Sequence, residues 1–446
     1  MALYITYILL IIITVYAVNT CITIWKRTQS LILIVPIAAM YFWTLYGVWF
    51  WIPMKLAGQK NFYEEIMFST SIDWYYCQSI LYYSFFIGIF CFYIKRVAKR
   101  EFIKNKISTG SRKGQILHTI DTLINNNLYY GIILVSLLGF VYLWKDDIVT
   151  AIITNVSAYS VSRFDSATGA KESIAQFLGN LFIYLSVPLL FARNAQFRKI
   201  VLYSCYAVFF GLNVALGNRA ILIMGMAIGV MLFCEMYGIR RFLKVRYLAL
   251  SLLLFAGIHF ISFVRGSNIN DILEGNFEFN LFEIFSSAST SSEKDAAQIS
   301  MYGVLKYDTP FTYGSSVLFL FSTLIPSFLG LYRPPRIYEH YVSHTIPGGV
   351  DIGVTIHHAT AWYLNFGLLG IVLGALMWGK IQGFLFVRRS RFVYLYGSVL
   401  FSAVSINMIR DGGIECYKGA LLMSTIIPML IIKWSLKRRK KSKKSC

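Results

Sequence analysis

The chain is short of charge. Asp, Glu, Lys and Arg make up only 14% of its 446 residues while hydrophobic residues make up 57%, well beyond the apolar share of a soluble domain. That imbalance excludes an ordinary water-soluble fold and predicts an integral membrane protein. Acidic residues are scarcest, 21 against 42 basic ones. Cysteines offer no disulfide framework and no zinc spacing: Cys21, Cys77, Cys91, Cys205 and Cys234 fall inside apolar runs, Cys416 lies near the end of one, and Cys446 is in the tail. Also missing are a Walker-type glycine loop, a zinc-helix motif, an EF-hand loop and a soluble segment able to house ATP hydrolysis. Energy for chemistry therefore has to come from the substrate or from a gradient.

What is present is a succession of long apolar runs. They lie at 3–25, 31–54, 75–94, 128–144, 177–192, 200–216, 220–238, 247–264, 361–379, 393–409 and 417–433, each about long enough to cross a hydrocarbon core as a helix. The first run has no basic residue before it and a second run follows at once, so it reads as a retained helix and not as a cleaved signal peptide. The expected fold is an all-α polytopic integral membrane protein, a single membrane domain over 1–446 with about 11 (11–12) transmembrane helices.

The net charge of +21 is mainly topology. Lys26, Arg27, the loop 95–127, the segments 193–199, 239–246 and 380–391, and the tail 434–446 hold most of the basic residues. Placing them in the cytoplasm satisfies the positive-inside rule with the N-terminus outside. Nucleic acid is then not an expected partner, whereas membrane lipids are, with the tail against anionic headgroups. The connections 55–74, 145–176, 265–360 and 410–416 fall outside. The large loop 265–360 carries its own apolar stretch, 315–332, which parity of the spans makes a re-entrant or interfacial helix broken at Pro326. A twelve-span arrangement would draw an extra crossing from the amphipathic 115–127 region.

Arginines mark one membrane surface. Arg219 in "ALGNRAIL", Arg265 in "SFVRGSN" and Arg410 in "NMIRDGG" stand at outer helix ends, and the outer loops add Arg163, Arg333 and Arg336. Guanidinium is planar, permanently charged and able to grip phosphate oxygens in pairs, so an anionic ligand at the outer interface accounts for the set. The competing reading is an arginine that snorkels to the headgroups, and Arg410 has Asp411 and Glu415 nearby as ion-pair partners.

Four of the six histidines, His340, His344, His357 and His358, fall near the end of the large outer loop beside Tyr338, Glu339, Tyr341 and Asp351. Imidazole can take a proton from a sugar hydroxyl near neutral pH, and a neighbouring carboxylate strengthens it. His358 is the first choice for a general base, with His340, Glu339 and His357 behind it. A zinc site from His340, His344 and Asp351 is the weaker alternative, and no metal is assigned. His118 and His259 read as structural. Tyr338, Tyr341 and Trp362 offer rings for stacking on sugars, a role that interfacial aromatics do not require.

The segment "TAWYLNFGLLGIVLGAL" at 360–376, preceded by a histidine pair, resembles the YxNFGxxG-type signature that follows the large periplasmic loop of Wzy-type O-antigen polymerases. "GNRA" at 217–220, "FVRG" at 263–266 and "YSVSRFDSATG" at 159–169 resemble the arginine-bearing positions of the same family. The related O-antigen ligases typically carry His-Asn before the glycine-containing helix, where this chain has His358-Ala359, which favours polymerase over ligase. The resemblance implies a glycosyltransferase of the bacterial inner membrane with its site facing the periplasm. Its donor and acceptor would both be undecaprenyl-diphosphate-linked oligosaccharides, with no cofactor and with a chain-length regulator protein as partner. Arg219 and Arg265 would hold the diphosphate, with Arg163, Arg336, Arg333 and Arg410 contacting diphosphate or sugar. A lipid-linked oligosaccharide flippase is the alternative of a different class; one-sided charge and the lack of an internal repeat speak against it.

Overall fold

The computed structural model describes residues 1–58, 69–105, 112–154, 169–216, 220–244, 292–323, 332–346, 355–410 and 412–442. The described residues are helical, with no strand. The helices are α1 (Ala2–Thr28), α2 (Ile34–Leu56, with a π-helical turn at Phe42–Tyr46), α3 (Trp74–Asn105), α4 (Arg112–Ile124), α5 (Asn127–Thr154), α6 (Gly169–Ser186) and α7 (Gln196–Ala215). They continue with α8 (Ala220–Tyr237), α9 (Ser292–Lys306), α10 (Ser315–Ser322), α11 (Ile337–Thr345), α12 (His358–Val387), α13 (Phe392–Arg410), a π-helical Lys418–Ile426 and α14 (Ile427–Ser442).

Eight of the described helices are long and apolar enough to cross a membrane. They coincide with eight of the eleven expected spans. The sixth and tenth expected spans are helical as α7 and α13, while 247–264 lies outside the described residues. The thirteen residues of α4 reach only about 20 Å at 1.5 Å per residue, too short to cross. Its Ile116, Leu117, Ile120, Leu123 and Ile124 are buried, so this part of the 115–127 region is a packed amphipathic helix. Of the expected re-entrant stretch 315–332, the described part is the two-turn α10 and the residues at its end.

The chain divides into two compact units, the first of 1–107, 282–388 and 401–422 and the second of 108–281, 389–400 and 423–446. In the first, α1 packs along α3 through Leu10, Ile13, Ala17 and Ile24, while Ile8, Ile11, Ile12, Val15, Val18 and Ile22 face outward. An apolar outer face on an apolar helix is a lipid-facing one. Lys26 and Arg27 end the helix and complement its carbonyl end. The 32 residues of α3 span about 48 Å, so the helix runs past the hydrocarbon core and carries Lys95, Arg96, Lys99 and Arg100 out of it. At the other end, Asp73 accepts the Tyr76 N–H at 3.0 Å.

Each unit repairs the damage of an intramembrane proline in the same way. Pro36 has no N–H for the Ile32 carbonyl, which instead accepts the Ser402 hydroxyl at 2.6 Å and the Gln382 amide at 3.3 Å. In the second unit Pro188 leaves the Tyr184 carbonyl free, and the Tyr396 hydroxyl donates to it. The adjoining Leu185 carbonyl takes the Tyr129 hydroxyl at 2.7 Å. Without water in the bilayer such groups have to find protein partners.

Candidate functional site

The first unit concentrates its polar chemistry around α12, which is broken near its start. Phe366 (φ −144°, ψ 18°) and Gly367 (φ 59°, ψ −144°) leave helical geometry, and the Gly367 conformation is one that side-chain-bearing residues essentially never adopt. The carbonyl of Leu364 accepts the Thr312 N–H at 2.8 Å. Asn365 seals the break: its side-chain oxygen accepts from Thr312 (3.1 Å) and Ser316 (2.9 Å), and its amide donates to the Ala361 carbonyl at 2.7 Å. Asn365, at the break before Gly367, thus fastens 312–316 to the end of a half-helix.

The histidine pair lies at the head of α12, and both rings are buried. The His358 Nδ1–H donates to the Gly412 carbonyl at 3.1 Å, which leaves Nε2 to accept from the Trp362 indole at 3.1 Å and to face the Tyr417 hydroxyl at 3.3 Å. Phe86, Trp378 and Tyr417 rings surround it, and its exposure is 0%. Gly412 (φ 52°) is pressed so close that a Cβ would stand 1.5 Å from the Ile356 oxygen. His357 caps the helix, its Nδ1 accepting the Ala359 N–H at 3.0 Å, and its own N–H donates to the Ser300 hydroxyl at 3.1 Å. Its ring stands edge-on to Tyr83, and Nε2 has no partner among the described residues. Burial and the neighbouring His358 hold the His357 imidazole well below the usual histidine range. The pair ties the head of α12 to α9 through the His357 N–H, and to Gly412 and Tyr417 through the His358 ring. His358, expected as the base, has its Nε2 lone pair engaged by the Trp362 indole and is buried in this arrangement.

A more accessible group surrounds α11. Its first turn is closed by Glu339, which accepts the Arg336 N–H at 3.0 Å and pairs with the Arg336 guanidinium at 3.9 Å. The Ile337 N–H donates to Glu415 Oε1 at 3.3 Å. Arg336 also lies over the Phe319 ring, 5.8 Å from its centroid. Lys418 donates to the Thr323 carbonyl at 2.9 Å and stands in the field of both Arg333 and Arg336. Burial pushes the Glu415 carboxyl above the usual carboxylate range, against the pull of Arg336, and Oε2 has no partner among the described residues.

On the next turn His340 donates its Nε2–H to the Pro310 carbonyl at 2.8 Å, and His344 donates Nδ1–H to the His340 carbonyl at 2.9 Å. Partial burial and His344 keep His340 below its usual range, so at pH 7 it is neutral with a lone pair on Nδ1. Among the described residues no three His, Cys, Asp or Glu side chains gather to hold a metal ion.

The structure therefore brings Arg333, Arg336, Tyr338, Glu339 and His340 together. Arg163, Arg219, Arg265 and Asp351 lie outside the described residues, and Arg410 is described through its backbone alone, at the end of α13. Tyr341 and Trp362 are 0% and 5% exposed and offer no face for a sugar. Two further residues, Glu415 and Lys418, belong to the group. The sequence reading treated Glu415 only as an ion-pair partner for Arg410 and passed over Lys418; the clue was a polar Glu-Cys-Tyr-Lys directly before an apolar span. No family model, curated protein or solved structure matches the chain.

Proposed function

We propose that the chain is an integral-membrane glycosyltransferase of the O-antigen polymerase kind, joining undecaprenyl-diphosphate-linked oligosaccharide repeats at the periplasmic face of a bacterial inner membrane. The observation that carries this reading is the gathering of Arg333, Arg336 and Lys418 at the head of α11, beside a carboxylate and a neutral imidazole. Cations of this kind bind a diphosphate and stabilise the charge that grows on it as the bond to the sugar breaks, an electrostatic contribution that is usually the largest in such chemistry. Arg163, Arg219, Arg265 and Arg410 complete the anion site in this proposal.

The reaction needs one proton removed. The attacking hydroxyl of the acceptor sugar gives its proton to His340 Nδ1 or to Glu339, the new glycosidic bond forms, and the lipid diphosphate leaves with the electron pair. His358 is left out of this chemistry because its lone pair is already engaged. A chain-length regulator is the protein partner that such a reaction would need.

The test is lipopolysaccharide electrophoresis of a strain lacking the gene, complemented with wild type or with Arg336→Ala. The proposal expects a core bearing a single repeat in the deletion strain, a full ladder with wild type, and none with the variant at equal protein level. Loss of even the single repeat in the deletion strain would transfer the role to flipping or ligation.

A further inference from the structure

Glu415 stands apart from the other groups around α11. It is an acid with a buried oxygen that has no partner among the described residues, in the field of the permanently charged Arg336 guanidinium. Oε1 is occupied by the Ile337 N–H, and the carboxyl is folded so tightly over Gly413 that a Cβ there would lie 2.4 Å from it. The side chain is therefore tied through Oε1 to the head of α11, while Oε2 has no partner among the described residues.

A bare carboxylate oxygen shut away from water is costly, and a neutral O–H in the same place still lacks an acceptor. The facing charges sharpen the choice. The charges in its field are Arg336 at the head of α11, positive, and Glu339 in its first turn, negative, and Arg336 in turn shares the field of Lys418 with Arg333. An ionised Glu415 would cancel part of that positive field and repel an incoming anion. A protonated one leaves the field intact and supplies a donor.

We infer that Glu415 binds the diphosphate as a neutral carboxylic acid, donating its Oε2–H to a phosphate oxygen, so that anion binding at Arg333, Arg336 and Lys418 is coupled to retention of one proton. This rests on the diphosphate reading of the cluster. No bond is made or broken, and the proton stays on the carboxyl. The raised position of the Glu415 titration agrees in direction.

The experiment uses the full-length protein in detergent with farnesyl diphosphate as the probe and farnesol as the control, and reads affinity from pH 5 to pH 9. For wild type, affinity falls as pH rises through the Glu415 titration, by up to about tenfold per pH unit for one linked proton. Glu415→Gln, whose amide donates at every pH, lacks that fall. Ionisation of the phosphate itself affects both proteins alike and cancels in the comparison. Arg336→Gln supplies a second reading that leaves Glu415 in place: loss of the cation moves the fall to higher pH, because Arg336 pulls the carboxyl down. Equal pH dependence in wild type and Glu415→Gln, or an unmoved fall in Arg336→Gln, would overturn the inference while leaving the diphosphate reading standing. If farnesyl diphosphate binds no better than farnesol at any pH, both fall.

Discussion

His358 Nδ1 and the carbonyl oxygen of Gly412 stand 3.1 Å apart, and that bond joins the head of α12 to the turn that leads into the last span. With Trp362 filling the other ring nitrogen, the imidazole works as a two-sided clamp. His358→Ala leaves a buried carbonyl and a buried indole N–H unpaired and opens a cavity, a combined cost of about 3 kcal/mol or more. Thermal unfolding in detergent should show a marked drop in melting temperature. A wild-type melting curve would contradict the clamp.

The break in α12 makes a second demand. Gly367→Ala forces a side chain into φ 59°, ψ −144°, with an expected cost of about 1–3 kcal/mol. Asn365→Ala strips acceptors from Thr312 and Ser316 and should cost about 1–3 kcal/mol. In the Asn365 variant, limited proteolysis should cut first within 310–323, since that variant loosens this segment before it loosens the spans. Unchanged cleavage would show that the segment is held by something else.

The buried His357 sets a pH limit. Its folded titration lies well below the unfolded value of about 6.5, so its stabilising contribution is complete above that value and is lost as pH falls from there towards the folded one. Melting temperature should fall between pH 7 and pH 5. His357→Asn, which keeps an acceptor for the Ala359 N–H, should reduce that fall. A fall of wild-type size in the variant would assign the effect to other groups.

Arg336 should separate stability from function. Its pairing with Glu339 is exposed on both sides, so Arg336→Ala is expected to cost at most about 1 kcal/mol. The same change should abolish long polysaccharide in a complemented strain. Retained chain length at unchanged protein level would remove Arg336 from the site.

Sequence alone made the spans readable because a membrane leaves helices little choice: the apolar runs and the basic segments between them are both visible residue by residue. The prolines were equally visible, but the partners that repair them, Ser402 for Ile32 and Tyr396 for Tyr184, lie hundreds of residues away and follow no period. The histidine pair shows the same limit. Its position before a glycine-containing helix was plain, whereas burial against Phe86 and Trp378 depends on α3 and on the far part of α12. Arg333, Arg336 and Glu339 could be found because they are close in sequence. Glu415 and Lys418 join them only through folding.

The central claim is transfer between lipid-linked oligosaccharides with arginine-held diphosphate. Its most direct test is the purified protein reconstituted in liposomes with undecaprenyl-diphosphate-linked repeat units and no nucleotide sugar. The account predicts a ladder of extended oligosaccharides and release of undecaprenyl diphosphate, both lost in Arg336→Ala. Repeat units that stay single, whether left in place or moved across the bilayer, would contradict it.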